Sequence, residues 1–351
     1  MSRIFRLRSL HLYLILAIIV AVSAGMAAAQ TTRVQKPVVD QEKGSSAPLE
    51  QDKDPGVSQR GAGGMTLFQA AILGVVEGVT EYLPVSSTGH LLLAQRAMGI
   101  GEGLKSSHPE EEARAKEAAD AYAICIQAGA IIAVLGLYWK RVKEMLMGLV
   151  GRNSGGLRMA INIGAGFVPA AVIGLFFNKT IKTYLFGPWP VVIAWFIGGV
   201  AILGVGWLQS KEGKRVWSGK SMDELRVRMA LMIGFAQCLA MWPGVSRSLI
   251  TIVGGLMVGL SMSAALEFSF LLGLVTLGAA TGYDALKHGH AMLQMYDLSA
   301  LSLGLVVAFV SAVVAVRWMV SYINKHGLAV FGYYRVALAL VVTVMLVTKM
   351  L

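Results

Sequence analysis

The sequence is short of cysteine, of charge and of acid. Cys125 and Cys238 are the two cysteines in 351 residues, and both sit within apolar stretches. That is too few for a disulfide framework or a zinc-type spacing, and both read as buried free thiols. Charged residues make up 15% of the chain, against about 25% in ordinary soluble domains. An ordinary soluble enzyme is therefore a poor fit. A disordered chain is excluded by a hydrophobic content of 56%, because disordered chains have too few apolar residues to build a core. Acidic residues number 20 against 31 basic ones, a net charge of +11. Such a balance could attract nucleic acid, but in a membrane protein surplus Lys and Arg belong to the cytoplasmic loops. The apolar residues fall in long runs, so the chain reads as an integral membrane protein with no nucleic-acid partner.

The first 64 residues differ from the rest. Arg3, Arg6 and Arg8 precede an apolar run from Leu10 to Val22, followed by Ala27-Ala28-Ala29. These are the parts of a secretory signal, cleaved or retained as an anchor, over 1–29. Residues 30–64 are polar and bury too little to offset their conformational entropy, so they read as a disordered linker. The membrane-embedded domain is expected over 65–351.

Apolar segments cover about 66–99, 120–139, 157–177, 190–208, 229–260, 264–283, 299–320 and 330–350. A helix of about 20 residues crosses a hydrocarbon core of about 30 Å. Six segments have that length. The segments 66–99 and 229–260 are longer and are interrupted, at Tyr82-Leu83-Pro84-Val85-Ser86-Ser87 and at Trp242-Pro243-Gly244-Val245-Ser246-Arg247-Ser248. Irregular backbone at membrane depth is tolerated only against protein or a wet cavity. Both segments therefore read as re-entrant helix–loop–helix hairpins. The fold class is an all-α integral membrane protein with six transmembrane helices plus the two hairpins.

Charge orients the crossings. Loop 140–158 holds Lys140, Arg141, Lys143, Arg152 and Arg158, and loop 209–228 holds Lys211, Lys214, Arg215, Lys220, Arg226 and Arg228. Both should be cytoplasmic. Loop 178–189 has only Lys179 and Lys182, and 284–298 only Lys287, while 100–119 sets Lys105, Arg114 and Lys116 against five glutamates. These should lie outside. Both ends of the domain then fall outside, as an N-terminal export signal also requires.

The hairpins resemble each other. Gly74-Val75-Val76-Glu77 lies 160 positions before Gly234-Phe235-Ala236-Gln237, and Tyr82 precedes Trp242 by the same offset. Pro84-Val85-Ser86-Ser87 resembles Pro243-Gly244-Val245-Ser246 one residue out of register. Copies that enter from opposite faces form an inverted-topology repeat, here about 65–208 and 229–351, with a site near the midplane where the broken helices meet.

The breaks also carry the chemistry. Glu77 and Glu81 are four apart and share a helix face. Carboxylates in an apolar stretch mark a functional site, and a pair with phosphate oxygens suits a divalent cation, Mg²⁺ or Ca²⁺. Ser86, Ser87, Thr88 and His90 supply hydroxyls and an imidazole for nucleophilic or acid–base work. Arg247 offers the planar fork that reads phosphate bidentately. Gly244 admits a close ligand, and the helix after it presents N–H groups to an anion. Glu77, Glu81, Ser87, His90 and Arg247 are the expected catalytic residues. Ser86, Thr88, Gly244, Ser246, Ser248 and Thr251 are the expected substrate contacts. Glu267 reads equally as structural or functional, and Gln127 as helix-packing glue.

The stretch Glu77-Gly78-Val79-Thr80-Glu81-Tyr82-Leu83-Pro84-Val85-Ser86-Ser87-Thr88-Gly89-His90, together with Pro243-Gly244-Val245-Ser246-Arg247-Ser248-Leu249-Ile250-Thr251, resembles the undecaprenyl-diphosphatase (bacitracin resistance protein) family. Ile126-Gln127-Ala128-Gly129, Glu267-Phe268-Ser269-Phe270-Leu271-Leu272 and Tyr334-Arg335 are similar to family positions as well. The resemblance covers about 65–351, and residues 1–64 depart from the compact members. It implies hydrolysis of undecaprenyl diphosphate to undecaprenyl phosphate on the outer side of the bacterial cytoplasmic membrane, recycling the lipid carrier for peptidoglycan. It also implies a divalent-metal requirement with Glu77 and Glu81 as ligands, bacitracin resistance and a homodimer. A polyprenyl-phosphate transporter is the alternative, because inverted repeats with broken helices also build transporters. A purely structural membrane protein has no use for the Glu77/Glu81/Ser87/His90 cluster with Arg247.

Overall fold

A computed structural model describes residues 65–100, 109–211 and 219–349. The expected signal and linker over 1–64, and parts of loops 100–119 and 209–228, lie outside the described residues. The described chain is helical throughout. Helix α1 spans Leu67–Thr80 and α2 spans Ser87–Ala97. Next come α3 (Pro109–Leu137), α4 (Trp139–Leu149), α5 (Ser154–Leu185) and α6 (Pro188–Lys211). A short 3₁₀ turn, Met222–Glu224, leads into α7 (Val227–Gln237). A second one, Cys238–Met241, precedes α8 (Arg247–Met257). Last come α9 (Met262–Met295), α10 (Leu298–His326) and α11 (Ala329–Val347). The one β-type contact among the described residues is an isolated bridge between Lys220 and Leu260.

Among the described residues, six helices are long and apolar enough to cross a membrane: Ala119–Leu137, Ser154–Phe177, Pro188–Trp207, Met262–Leu286, Leu298–His326 and Ala329–Val347. They match the six expected crossings. Large apolar side chains point outward along them, with Phe176 80%, Leu298 74% and Val314 64% exposed. A water-soluble protein does not expose apolar surface on this scale, so the outer surface is built for lipid. The protein is a multi-pass membrane protein. By contrast, α2 and α8 have 11 residues each, about 16 Å of helix. Neither can cross a core of about 30 Å.

The two broken segments keep their 160-residue offset through the fold. α1 and α7 begin at Leu67 and Val227, and α2 and α8 at Ser87 and Arg247. Ser86 has φ 75° and ψ 101°, and Ser246 has φ 73° and ψ 113°. Positive φ is strained for a residue with a Cβ, and the same strain recurs at the same place in both breaks. The one-residue slip suggested by the prolines is absent from the backbone. Val85-Ser86 corresponds to Val245-Ser246, and Pro84 to Gly244.

Packing repeats too. A Cβ on Gly74 would lie 2.6 Å from Gly304 O on α10, and one on Gly234 would lie 2.4 Å from Gly166 O on α5. Thus α1 sits tightly on the second half's α10, and α7 on the first half's α5. This exchange of partners is compatible with an inverted repeat.

Two expectations change. Loop 140–158 contains α4, whose Arg141 Nε pairs with Glu267 Oε1 on α9 at 2.5 Å, while its Nη1 pairs with Glu144 at 3.1 Å. Glu267 is therefore an ion-pair partner that joins α9 to α4. Lys140, Arg141 and Lys143 make that stretch look like a loop, although they lie on a short helix. The cysteines are free but only half-buried, because each sits on a helix flank rather than in the interior.

Candidate active site

The break after α1 and the break before α8 face each other. Glu81 closes α1, its N–H bonded to Glu77 O at 2.9 Å, so the two carboxylates stand one turn apart on the same face. Ser87, the first residue of α2, donates its hydroxyl hydrogen to Glu81 Oε2. The other oxygen, Oε1, lies 3.4 Å from Arg247 Nη2, and both side chains are at most 10% exposed. Each oxygen of the Glu81 carboxylate thus has its own partner.

Arg247 is held on several sides. Its Nη1 donates to Ser269 O at 3.1 Å. Its Cζ lies 5.4 Å from the centre of the Tyr82 ring, a cation–π contact. Tyr82 is itself fully buried, edge-on to Phe270 at 5.6 Å. Arg247 Nε is buried and has no partner among the described residues. A buried donor left unpaired is costly, so this nitrogen is open to a ligand's acceptor.

The hydroxyls divide into two groups. Ser248 donates to Glu81 O at 3.1 Å. Thr251 donates to Arg247 O at 2.9 Å and shares a 2.6 Å hydrogen bond with the Ser269 hydroxyl. Ser246 Oγ caps α8 by accepting from Leu249 N at 3.3 Å and donates to Leu83 O across the interface. Ser246 and Ser248 tie one break to the other, while Thr251 ties α8 to α9. Ser86, Ser87 and Thr88 instead line a cavity of about 620 Å³ together with Glu81, Gly244, Ser246 and Arg247. The cavity continues along apolar residues of α5 and α9, including Phe167, Leu175 and Leu277, to Phe186, Tyr283 and Asp284 at one end of the bundle. A polar end beside an apolar channel suits an amphiphile.

Of the expected site residues, the structure brings Glu81, Ser86, Ser87, Thr88, Gly244, Ser246 and Arg247 to this cavity. Glu77, His90, Ser248 and Thr251 are not in its lining. Glu77 sits behind Glu81, fully buried, with neither carboxylate oxygen hydrogen-bonded among the described residues. His90 turns away. Its Nδ1 donates to Ser86 O at 2.6 Å, since a carbonyl can only accept, and Nε2 meets the Tyr334 hydroxyl at 2.7 Å. The ring stacks on Tyr334 at 5.8 Å and lies 5.2 Å from the Trp195 ring.

Among the described residues no group of three or more His, Cys, Asp or Glu could hold a metal ion. Glu77 and Glu81 still fit a hard cation in one way. Magnesium commonly takes one or two carboxylates and completes its shell with substrate phosphates and water. The closeness of the Glu77 carboxyl to that of Glu81, with Glu77 fully buried, is the observation in favour.

Three lining or supporting residues stand outside the expected catalytic and substrate-contact residues. Gln237 lines the cavity and is the repeat counterpart of Glu77, with its Oε1 unpaired. The repeat pattern itself points to it. Gln127, expected to be packing glue, lines the cavity too and accepts from Thr281 at 2.8 Å. Arg335 is fully buried on α11, and an arginine inside a crossing helix is its signal.

Residues 70–341 match the family described as "Bacitracin resistance protein BacA". Over 279 residues the chain is 43% identical to the undecaprenyl-diphosphatase of Sorangium cellulosum, covering 79% of this chain and 86% of that protein. It is 42% identical to undecaprenyl-diphosphatase 1 of Chromobacterium violaceum, covering 79% and 95%. It is 44% identical to undecaprenyl-diphosphatase 2 of Rhodospirillum rubrum, covering 79% and 93%. A polytopic membrane protein with a buried Glu–Ser–Arg cluster is the class that the fold defines. The chain belongs to the bacitracin resistance protein BacA family.

Proposed function

We propose that this chain is an undecaprenyl-diphosphatase that hydrolyses undecaprenyl diphosphate to undecaprenyl phosphate and inorganic phosphate at the Glu81–Ser87–Arg247 cluster. One observation carries the reading: the Ser87 hydroxyl is bonded to Glu81, while Glu81 also meets Arg247, whose Nε is free for a phosphate oxygen. A nucleophile paired with a base, and the base oriented by a third group, is the arrangement of nucleophilic catalysis. A transporter needs only charge complementarity and has no use for the serine–carboxylate pair.

In this reading the diphosphate lies at the polar end of the cavity and the prenyl chain along the apolar side of α5 and α9. Arg247 binds the terminal phosphate and follows the charge that spreads over its equatorial oxygens. Ser87 Oγ attacks the terminal phosphorus as its proton passes to Glu81. The Oγ–P bond forms, the bridging P–O bond breaks, and undecaprenyl phosphate leaves. Water then attacks the phosphoserine phosphorus: the new P–O bond forms as the Oγ–P bond breaks, Glu81 returns its proton to Ser87 Oγ and takes up the one lost by water, releasing it to solvent, and inorganic phosphate departs. Glu77 and Glu81 would hold the divalent cation, which supplies neutralisation of the phosphate charge when bound. His90 supports the bend at Ser86 rather than meeting the leaving group.

The hairpins are re-entrant in this reading, and the cavity faces outward. It extends to Phe186 and Asp284, at the bundle end whose loops carry few Lys and Arg. The site then acts on the leaflet where the diphosphate is released by polymer synthesis.

Inorganic phosphate release from undecaprenyl diphosphate by the purified protein tests the reading. Release is expected with a divalent cation and is expected to stop in excess chelator. Absence of release under both conditions overturns the function. Unchanged release in chelator overturns the metal role of Glu77 and Glu81.

A further inference from the structure

Arg335 bonds to both helix breaks at once. It is fully buried on α11. Its Nη2 donates to Gly244 O at 2.8 Å and to Ala194 O at 2.9 Å. Its Nη1 donates to Pro84 O at 3.3 Å and its Nε to Trp195 O at 3.4 Å. All four acceptors are backbone carbonyls. A cation buried against carbonyls alone is an expensive choice for a core, and intramembrane charges of this kind mark function.

Two of these carbonyls are equivalent in the repeat. Pro84 and Gly244 are 160 positions apart, and each lies two residues before a serine held at positive φ, Ser86 at 75° and Ser246 at 73°. Each strained serine is followed by a residue of the candidate site, Ser87 in one break and Arg247 in the other. One guanidinium therefore fixes the peptide that leads into each bend. Pro84 O and Gly244 O both lie outside regular helix, where a buried carbonyl left without a donor is costly. The surroundings are shaped to the guanidinium as well. A Cβ on Gly198 of α6 would lie 2.3 Å from Arg335 Nη2 and 2.9 Å from Cζ. No other residue fits there while the guanidinium keeps its place.

We infer that Arg335 is a positioning residue that sets the separation of the two breaks, and through it the placement of Ser87 and Glu81 against Arg247. Arginine is required because its rigid fork reaches two separate carbonyls, whereas a lysine ammonium is a point charge on a flexible stem. The inference rests on the reading of Glu81, Ser87 and Arg247 as the hydrolytic site.

The test compares kcat and KM for phosphate release from undecaprenyl diphosphate in wild type, Arg335→Lys and Gly198→Ala, with thermal unfolding of each in detergent. A displacement of about 1 Å at reacting groups costs about 10²-fold in rate. Arg335→Lys is expected to lose about that much kcat, with KM changed far less, while the folded protein persists. Gly198→Ala keeps the arginine and the charge but displaces the guanidinium, and is expected to lower kcat in the same way, by up to about 10²-fold. In Arg335→Ala, added guanidinium at a non-denaturing concentration is expected to restore part of kcat. A lysine variant with wild-type kcat overturns the inference. So does a loss confined to the yield of folded protein, with full kcat per folded molecule. If Arg335→Ala does not accumulate, Gly198→Ala decides, and an unchanged kcat there overturns the inference. Wild-type protein that releases no phosphate overturns the function itself, whereas active wild type with equally active variants overturns only the role of Arg335.

Discussion

Arg247 and Glu81 meet at 3.4 Å across 166 residues of sequence. One opens α8 and the other closes α1. Neither charge could be buried alone at acceptable cost, so the two broken segments satisfy each other electrostatically. The pairing is also incomplete, since Arg247 Nε is left without a partner among the described residues. The contact holds the site together and still leaves a donor for an anion.

Substitution of Arg247 follows from this. Arg247→Ala removes both the anion donor and the counter-charge of Glu81. In phosphoryl transfer an arginine that follows the equatorial charge is worth about 10³–10⁵ in rate, and a loss of that order is expected. Arg247→Lys is expected to recover little, because it lacks the bidentate geometry. Steady-state kinetics would separate the roles: a fall in kcat marks transition-state contact, and a rise in KM alone marks uniform binding. An alanine variant with near-normal kcat/KM would remove Arg247 from the site.

Ser87 makes a sharper claim. Its hydroxyl already donates to Glu81, as a nucleophile bonded to its base should. Rapid quenching of wild type with substrate labelled at the terminal phosphate is expected to trap label on Ser87. Ser87→Ala is expected to turn over no substrate in a single-turnover experiment. Substantial hydrolysis by that variant would instead assign the attack to water, with Glu81 as its base.

The six crossings and the two breaks are readable in the sequence because each rests on a local property. Twenty apolar residues can do little but cross, and proline among hydroxyls inside an apolar run cannot continue a helix. Glu81, Ser87 and Arg247 stand out for the same reason, as polar groups in costly places. The direction of a side chain is not local. His90 lies close to the carboxylates in sequence, yet its partner is Tyr334, 244 residues away. The prolines mislead about the register of the repeat because Pro84 and Pro243 are not equivalent; the matching backbone bends fall at Ser86 and Ser246. Arg335 is visible as an intramembrane arginine, but the carbonyls that it joins come from α6 and both breaks, and no spacing announces them.

The turn of His90 toward Tyr334 gives a third expectation. If His90 supports the bend by holding Ser86 O, then His90 and Tyr334 act as a pair. His90→Ala and Tyr334→Phe should each destabilise the protein, and the double variant should lose less than the two separate losses together. Coupling between contacting residues runs about 0.5–3 kcal/mol, measurable by thermal or denaturant unfolding in detergent. Strict additivity would deny the pair. A kcat loss in His90→Ala with no change in stability, and no counterpart in Tyr334→Phe, would return His90 to the chemistry.

The last expectation concerns the two glycines that let the halves dock. Gly74 and Gly234 occupy equivalent positions, and each faces the carbonyl of another glycine, Gly304 on α10 and Gly166 on α5. Small residues at such crossings allow backbones to approach, which is how helices associate where lipid removes the hydrophobic drive. A methyl at either position would meet that oxygen at 2.6 Å or 2.4 Å, closer than contact allows, and the obstacle is backbone rather than a movable side chain. The helices would have to separate. Overpacking of this kind costs about 1–3 kcal/mol. Gly74→Ala and Gly234→Ala are therefore expected to lower unfolding stability in detergent by similar amounts, although neither residue lines the cavity. Gly164, on α5 near Gly166, has open space beside it, so Gly164→Ala serves as the control and should change stability little or raise it by its better helix propensity. Equal stability of all three variants would show that the close approach is not what holds α1 and α7 in place. A loss at Gly74 alone would mean that the two halves dock by different means despite their matching backbones.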